Sequence, residues 1–336
     1  MKKLKVLLAP AVISLLFLTV PNAAMAVKLT YANFFPPTHI QSKLADQWCK
    51  EVKQVTNGEV IVQYYPGGTL LKPRQIYDGV VNGIADIGFS VLAYSGGRFP
   101  VMGTIDLPLG YPSGEVATQV ANAVFNKFNP REFKDVKVMF FHAHGPGMFF
   151  TAKTPVRKLE DLSGLKLRAT AYAAKIVKAA GGTPVGGPMT EAYQNIQKGV
   201  VNGGVYPMET NKGWKMGEVV DYGTAAYDIA YTTTFFIVMN KNKWRKLSKK
   251  SQQAIEQLNK KYIALHGEAW DVSDTQGLKS FLSQGNTLIG LDKRESAKWK
   301  KAVEPIIGDY AKALDKKRLN GDEIVKYTVD TLKSLQ

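Results

Sequence analysis

Apolar and polar residues follow two alternating patterns along the first two thirds of the chain. Residues 29–32 form a short apolar run typical of a strand, and apolar residues then recur every four positions in residues 40–52, which predicts a helix that Thr38 caps and Gly58 helps to end. Residues 60–64 form the next apolar run. This order of strand, helix and strand favours parallel sheets, so the sequence predicts an α/β fold.

A five-residue segment occurs twice in the sequence. Gly-Val-Val-Asn-Gly stands at residues 79–83 and again at residues 199–203, each time after a predicted helix and before a predicted strand. Two lobes built on one plan would produce such a repeat. Chance reuse of a helix-end turn is the alternative.

A long helical pattern follows in the last third of the chain. From Leu247 to about Leu282, apolar positions keep helical spacing for far longer than in a typical globular helix. A helix of this length can span two lobes and contact both. Gly267 lies within it, and two ordinary helices that meet at this glycine are the alternative.

The first 26 residues have the pattern of a bacterial secretory signal. Three lysines precede an apolar run that reaches Val20, and Ala24 and Ala26 are the small residues that a cleavage site needs. A membrane-spanning helix needs about 20 apolar residues. This run is shorter, and Pro10 interrupts it. The sequence therefore predicts a signal peptide at residues 1–26 and a soluble, untethered protein in the periplasm.

The chain is basic, with a formal net charge of +16, of which the three signal lysines supply 3 and the rest of the chain 13. Such a balance can indicate nucleic acid, an anionic surface or an anionic ligand. The lysines are spread along helical segments such as residues 249–261 and 293–301, without an aromatic-interleaved basic motif. We interpret them as a solvated basic surface and predict no nucleic-acid partner.

Motifs of catalysis are scarce in the sequence. It contains no Gly-x-Ser-x-Gly elbow, no phosphate-binding loop, no dinucleotide-binding glycine motif and no paired-cysteine metal motif. His142 and His144 stand at strand spacing, but two ligands without a third make a poor metal site, so we interpret both as structural histidines. The sequence predicts no enzyme, no cofactor and no metal site.

One arginine stands where α/β proteins bind ligands. Two leucines alternate with Lys166 and Arg168 at the end of residues 161–168, which predicts a strand that buries the leucines and ends near the arginine. Ligands of open α/β sheets gather at the carboxyl ends of strands, and a guanidinium binds a carboxylate or sulfonate with two parallel hydrogen bonds. Taken alone, an arginine at a strand end is also typical of a surface ion pair.

The run Thr-Pro-Val-Arg-Lys-Leu-Glu-Asp-Leu-Ser-Gly-Leu-Lys-Leu-Arg at residues 154–168 resembles a family signature. The family is that of the DctP-type solute-binding proteins of tripartite ATP-independent periplasmic (TRAP) transporters. Further segments are similar to the same family, in the same order along the chain. They are residues 65–70, residues 97–100 with 106–108, residues 191–203, and residues 239–241 with Trp244.

The resemblance implies a two-lobed periplasmic binding protein fold, type II-like, that closes on a small organic anion. It places lobe I at residues 27–146 plus 234–270 and lobe II at residues 147–233 plus 271–336, with the long helix of about residues 247–282 spanning both. The partners it implies are the small and large integral membrane subunits of a TRAP permease. Members of the family are usually monomers, so the resemblance also implies a monomer.

The resemblance also implies roles for individual residues. The arginine that matches Arg168 binds the ligand's carboxylate, the positions that match Asn33 and Tyr206 line the cleft, and Met148 stands where binders of larger sugar acids have a second arginine. Three of the candidates, Met148, Phe35 and Phe150, are also typical of a core. The candidate ligand-binding residues are Arg168, Asn33, Tyr206, Tyr94, Met148, Met189, Phe35, Ser90 and Phe150.

Met148 in place of a second arginine is a departure from the pattern of the sugar-acid binders, and it points to a monoanion with a compact or an apolar body. A short carboxylate or sulfonate, such as isethionate or a 2-keto or 2-hydroxy acid, suits a small pocket, and an aryl or indolyl acid suits a large one. A secreted enzyme and a protein that adheres to anionic surfaces are the alternatives outside receptor function.

Overall fold

The computed structural model describes residues 26–336, and their strands form two separate sheets. The predicted signal peptide, apart from Ala26, lies outside the described residues. The strands are β1 (Val27–Asn33), β2 (Val60–Tyr65), β3 (Ile87–Val91), β4 (Val136–Ala143), β5 (Gly147–Thr151), β6 (Lys166–Ala169), β7 (Thr183–Gly186), β8 (Gly203–Pro207), β9 (Tyr222–Ala225), β10 (Thr234–Asn240) and β11 (Thr287–Gly290).

The first sheet has five strands in the order β2-β1-β3-β10-β4. β1 pairs in parallel with β2 and β3, whereas β10 runs antiparallel to both of its neighbours, β3 and β4. The chain forms β5 to β9 of the second sheet before it returns to insert β10 into the first.

The second sheet has six strands in the order β11-β9-β5-β8-β6-β7. β5 runs antiparallel to β8 and β9, and the other neighbours are parallel. The chain crosses between the sheets after β4 and again before β10. Both sheets contain parallel pairs of strands, and helices connect the strands, so the predicted α/β fold is confirmed.

Helices cover the faces of both sheets. The long helix α8 is one uninterrupted element, and its extent agrees with the predicted one. The helices are α1 (Ile40–Val55), α2 (Ile76–Val81), α3 (Gly114–Phe128), α4 (Ala171–Ala179), α5 (Met189–Gln197), α6 (Thr210–Gly213), α7 (Lys241–Lys246), α8 (Lys249–Ser283), α9 (Lys293–Val303), α10 (Pro305–Lys316) and α11 (Gly321–Ser334).

Helix α8 contacts elements on both sides of the molecule. Ser248 caps its start, since the hydroxyl oxygen accepts a hydrogen bond from the backbone N–H of Ser251. Along its length it packs on α1, α3 and β4 beside the first sheet and on α6 and β11 beside the second. Gly267 does not break the helix. A Cβ at this position would lie 3.1 Å from the Cα of Glu115, so the glycine allows α3 to approach closely.

Helix α1 begins one residue later than a Thr38 cap would place it. The N-cap is His39, whose Nδ1 accepts a hydrogen bond from the backbone N–H of Gln41 at 3.2 Å. The expected cap was therefore wrong by one residue. A histidine is an uncommon cap, and in this position its other ring nitrogen can reach across to the second sheet.

The two copies of Gly-Val-Val-Asn-Gly adopt different conformations. In residues 79–83 the first three residues end α2, whereas in residues 199–203 the segment starts after α5 has ended and its last glycine begins β8. Gly199 has φ +69°, but its counterpart Gly79 is helical. The same letters therefore serve two local structures, which favours chance reuse over a shared plan.

The C-terminal helices contact both sides of the molecule. α9 packs on α4 of the second sheet, whereas α11 packs on α3 and Thr328 donates a hydrogen bond to Thr104 near the first sheet. The lobe boundaries stay a prediction, and residues 271–336 include elements that contact either side. Among residues 26–336, no helix combines the length and the apolar character needed to cross a membrane.

Candidate functional site

A central cavity of about 50 Å³ lies between the two sheets. Much of its wall comes from residues at or just after the carboxyl ends of five strands: β1, β3, β4, β6 and β8. Ligands of α/β proteins bind at this end of the strands, so the cavity lies where a ligand site is expected. The two sheets thus present their strand ends to one shared space.

The elements around the first sheet are called the first side below, and the elements around the second sheet the second side. The two sides contact each other directly beside this cavity. His39, which follows β1, places its Nε2 2.8 Å from a carboxylate oxygen of Glu209, which follows β8, and both side chains are about 2% exposed or less. Because Nδ1 of His39 accepts from Gln41, its Nε2 carries the proton and donates to Glu209. The rings of Phe34 and Trp214 stack with centroids 6.1 Å apart across the same boundary. The structure is therefore closed over the cavity.

Tyr94 makes another contact between the sides. It lies just after β3, and its hydroxyl oxygen accepts a hydrogen bond from the backbone N–H of Met189 at 2.8 Å. Met189 is the first residue of α5, where a helix leaves its N–H groups without partners inside the helix. This bond forms only when the sides are together, so it stabilises the closed arrangement.

We predict that Tyr94→Phe weakens ligand binding by about 2- to 10-fold, because closing would leave the Met189 N–H without its partner and a neutral hydrogen bond contributes about 0.5–1.5 kcal/mol. Isothermal titration with the ligand measures the change. Tyr193→Phe on the same helix is the matched control, since the Tyr193 hydroxyl bonds Glu218 within the second side. Equal losses in both variants would contradict a role for Tyr94 in closure.

Arg168 is a buried cation without an acidic partner. It lies in β6 and lines the cavity, and it is 6% exposed. Its Nε donates to the backbone carbonyl of Gly187 at 2.9 Å, which fixes the plane of the guanidinium. Within residues 26–336, no carboxylate oxygen lies within 4.0 Å of it. A buried unpaired charge is costly, so the two terminal nitrogens are suited to an anion that enters the cavity.

Tyr206 offers a second free polar group in the cavity wall. It lies in β8, its hydroxyl is buried, and the structure shows no hydrogen-bond partner for it. Burial raises the pKa of this hydroxyl, and the positive charge of Arg168 opposes the rise, so Tyr206 keeps its proton. Its ring stacks on Phe150 with centroids 4.6 Å apart. Tyr206 is therefore a fixed donor available to a ligand.

Most of the remaining wall is aromatic. Eight of the described residues that line the cavity are Phe, Tyr or Trp. Phe35 and Trp214 have centroids 5.4 Å apart, and Trp270 of α8 stacks on Phe235 of β10 at 5.0 Å. Aromatic rings prefer such offset and tilted contacts, so the wall suits a planar apolar body.

Five of the predicted site residues line the cavity, and four do not. Arg168, Tyr206, Tyr94, Met189 and Phe35 lie in its wall. Their roles toward a ligand stay predictions.

Asn33 and Ser90 lie outside the wall because their polar groups serve the backbone and neighbouring side chains. The Asn33 amide donates to the Tyr64 hydroxyl at 2.7 Å and accepts from the backbone N–H of Phe35 at 3.0 Å. The Ser90 hydroxyl donates to the carbonyl of Pro73 at 2.8 Å. These contacts occupy both side chains, and a role of either residue toward a ligand stays a prediction.

Met148 and Phe150 lie behind the wall. Both belong to an apolar cluster of the second side, and neither lines the cavity. β5 pairs antiparallel with β8, with Met148 opposite Tyr206. The two residues pack with Tyr206 in this cluster, and their roles toward a ligand stay predictions.

Sequence reasoning missed much of the wall. Glu209 and Trp214 follow the predicted strand after the second Val-Val-Asn-Gly, and their distance from that strand end was a signal that could have found them. Tyr231 and Trp270 come from the return crossing and from α8, and no local pattern marks them. His144, which was interpreted as structural, also lines the cavity. Among the described residues, no three His, Cys, Asp or Glu side chains form a group that could hold a metal ion.

Comparison with known proteins places these features in a family. Residues 31–313 match the family model DctP, described as bacterial extracellular solute-binding protein, family 7. A TRAP periplasmic solute-binding protein from Desulfovibrio salexigens, solved as an open complex, is 31% identical to this chain, with a TM-score of 0.80 and coverage of 92% of this chain and 96% of that one.

Other similar structures contain aromatic acids. A marine metagenome TRAP solute-binding protein specific for aromatic acid ligands, in complex with 3-hydroxybenzoate, is 30% identical, with a TM-score of 0.88 and coverage of 93% of this chain and 99% of that one. A TRAP periplasmic solute-binding protein from Bordetella bronchiseptica, with bound (R)- and (S)-mandelate, is 26% identical, with a TM-score of 0.86 and coverage of 92% and 100%.

Proposed function

Because the chain belongs to family 7 of the bacterial extracellular solute-binding proteins, the DctP-type receptors of TRAP transporters, we propose that it binds an aromatic carboxylate in the central cavity. In this proposal the protein works in the periplasm and delivers the acid to the membrane subunits of a TRAP permease. It acts as a monomer and has no catalytic step.

The observation that carries the proposal is a single buried guanidinium in an aromatic cavity. Arg168 has no acidic partner among the described residues, and Tyr206 lies in the wall with an unpaired hydroxyl. Together they can hold one carboxylate, with the arginine supplying two parallel charge-assisted hydrogen bonds. The Phe, Tyr and Trp side chains around them favour an apolar ring as the rest of the ligand.

The aromatic wall supports one of the two ligand classes that the sequence left open. A short sulfonate or hydroxy acid such as isethionate has little apolar surface, so it would leave rings such as Phe35 and Trp214 facing empty space. An aryl acid covers these rings and buries its own apolar area, which contributes about 25 cal/mol for each Å² removed from water. The relatives that bind aromatic acids support this choice.

Closure gives the proposed receptor its two states. The contacts of His39 with Glu209 and of Tyr94 with Met189 join the two sides around the cavity. A ligand that contacts both sides shifts the equilibrium toward the closed state only by its differential affinity for that state. Arg168 and Tyr206 lie on the second side and Phe34 and Phe35 follow β1 on the first, so a bound aryl acid would contact both.

A thermal-shift experiment with matched ligands tests the proposal. Benzoate has both ring and charge, benzamide keeps the ring without the charge, and acetate keeps the charge without the ring. We expect benzoate at about 100-fold excess over its Kd to stabilise the protein by about 2.7 kcal/mol and to raise the melting temperature by about 5 °C. Benzamide and acetate should give much smaller shifts.

Other outcomes of this experiment have defined meanings. A larger shift with isethionate or lactate than with benzoate would replace the aryl acid by the short-anion alternative. No shift with any acid in the panel would contradict the receptor proposal. Turnover of a bound acid during incubation, followed by chromatography, would support the enzyme alternative.

A further inference from the structure

His144 lies in the cavity wall, in the segment that crosses from β4 to β5. Its side chain is almost completely buried, and its Nδ1 lies 2.6 Å from the backbone carbonyl oxygen of Gly145. A carbonyl oxygen only accepts hydrogen bonds, so Nδ1 carries the ring proton. The other nitrogen, Nε2, is left with a lone pair, and no group among the described residues donates to it.

The imidazole of His144 is neutral. Burial, together with the positive charge of Arg168, lowers its pKa to about 4, although the hydrogen bond to Gly145 opposes this. The charged groups that line the same cavity are Arg168 and Glu209, and Glu209 is engaged by His39. At neutral pH, Nε2 is therefore an uncharged acceptor beside a guanidinium.

Several contacts fix the orientation of the His144 ring, and with it the nitrogen that carries the proton. Its backbone carbonyl accepts a hydrogen bond from the Thr232 hydroxyl at 2.6 Å. The rings of Tyr231 and Trp270 lie against the imidazole at 5.6 and 6.2 Å between centroids. Turning the ring over would exchange Nδ1 for a carbon and break the bond to Gly145. The acceptor nitrogen is thus preorganised rather than free to adapt.

An acceptor-only nitrogen limits what a ligand can place against it. A carboxylate oxygen would bring two lone pairs together, and a bare C–H would leave Nε2 without a partner. An ammonium group would be repelled by Arg168, whose charge acts on the same imidazole. A neutral hydroxyl satisfies the nitrogen and tolerates the neighbouring guanidinium.

We propose that His144 is a specificity-determining residue whose Nε2 accepts a hydrogen bond from a hydroxyl group of the ligand, so that the receptor prefers hydroxylated aryl acids. This inference rests on the proposed function, because Arg168 is taken to hold the carboxylate of the same ligand. The hydroxyl can be carried by the ring or by the carbon next to the carboxylate. Both sources present the same chemistry to the nitrogen.

Titration of matched acids distinguishes the two sources. Benzoate is compared with 3-hydroxybenzoate for a ring hydroxyl, and phenylacetate with mandelate for a hydroxyl beside the carboxylate. Dissociation constants are measured by isothermal titration on the wild-type protein and on His144→Leu, which removes the acceptor and keeps an apolar side chain. We expect a preference of about 10-fold for the hydroxylated member of at least one pair in the wild type.

The His144→Leu variant should lose that preference, so that the two acids of the pair bind within about 2-fold of each other, because the hydroxyl no longer has its acceptor and the acid without a hydroxyl no longer leaves Nε2 unpaired. Tyr94→Phe is the control for a general loss of affinity, since it weakens closure and should preserve the ratio within each pair. His144→Gln, which retains an acceptor oxygen, should keep part of the preference.

Several results would overturn the proposal. Wild-type ratios below about 2-fold in both pairs would do so, and so would a preference that survives in His144→Leu, which would assign the hydroxyl to another acceptor such as Glu209. If His144→Leu fails to fold, the proposal is tested instead by NMR on the wild-type protein, which records the ¹⁵N chemical shift of Nε2 with each acid. The chemical shift of Nε2 should change when the hydroxylated acid binds and stay the same when the matched acid without a hydroxyl binds. An unchanged chemical shift with both acids contradicts the proposal. If no aryl acid binds at all, the proposed function itself fails.

Discussion

Replacing Arg168 with methionine is expected to abolish acid binding while leaving the unliganded protein at least as stable as the wild type. The guanidinium is 6% exposed and has no acidic partner among residues 26–336, so its charge is a cost to the empty protein. Methionine keeps an unbranched side chain of similar length in the same space. Unfolding in urea should therefore show no loss of stability.

The loss of binding follows from the two hydrogen bonds that the arginine would make. Each charge-assisted bond contributes about 1.5–3 kcal/mol, and each 1.4 kcal/mol changes Kd about tenfold. We expect Kd for benzoate to rise by about 100- to 10,000-fold in isothermal titration. Arg157→Met is the matched control, because Arg157 is exposed and belongs to the same sequence signature. Binding by Arg168→Met within about threefold of the wild type would contradict the assignment of this residue to the carboxylate.

Gly277→Ala should destabilise the protein by about 3 kcal/mol, the upper part of the usual range for overpacking. Gly277 lies in α8, and a Cβ at this position would lie 2.3 Å from the carbonyl oxygen of Met208 and 2.7 Å from the Cα of Glu209. Both atoms belong to the backbone, so they cannot move aside as the end of a flexible side chain does. The helix would have to separate from the segment that carries Glu209.

The opposite sign is expected at a glycine of another helix. Gly308 lies in α10, is exposed, and a Cβ there would meet nothing within 4 Å. Gly308→Ala should therefore stabilise the protein by about 0.5–1 kcal/mol, because alanine loses less backbone entropy in a helix. Urea unfolding of both variants gives the two signs in one experiment. A Gly277→Ala protein as stable as Gly308→Ala would contradict the close packing of α8.

Patterns of apolar residues were sufficient to predict the helices and strands that depend mainly on neighbouring residues in the sequence. The spacing of apolar residues placed the long helix at about residues 247–282, and the structure has it at Lys249–Ser283. The alternating leucines before Arg168 predicted a strand, and β6 forms there with Leu167 completely buried. The resemblance to the TRAP receptors is confirmed by the family match over residues 31–313.

Contacts between distant segments explain what the sequence missed. Asn33 is polar and follows a strand, as a ligand-binding residue would, but the Tyr64 hydroxyl of the neighbouring strand occupies its amide. His144 looks like any strand histidine until the crossing segment turns it toward the cavity. Trp270 reaches the same cavity from a helix 126 positions further along the chain. The periodicity of apolar residues carries no information about contacts between segments so far apart in the sequence.

The insertion of β10 between β3 and β4 has a consequence for the timing of synthesis. β4 ends at Ala143 and β10 begins at Thr234, so about 90 residues separate the two. At roughly 5–20 residues per second, a ribosome takes roughly 5–20 s to make this stretch. Throughout that interval the facing edges of β3 and β4 have no strand between them. The first sheet cannot be completed on a nascent chain that ends before residue 234, so this part of the protein stays incompletely folded until β10 has been made.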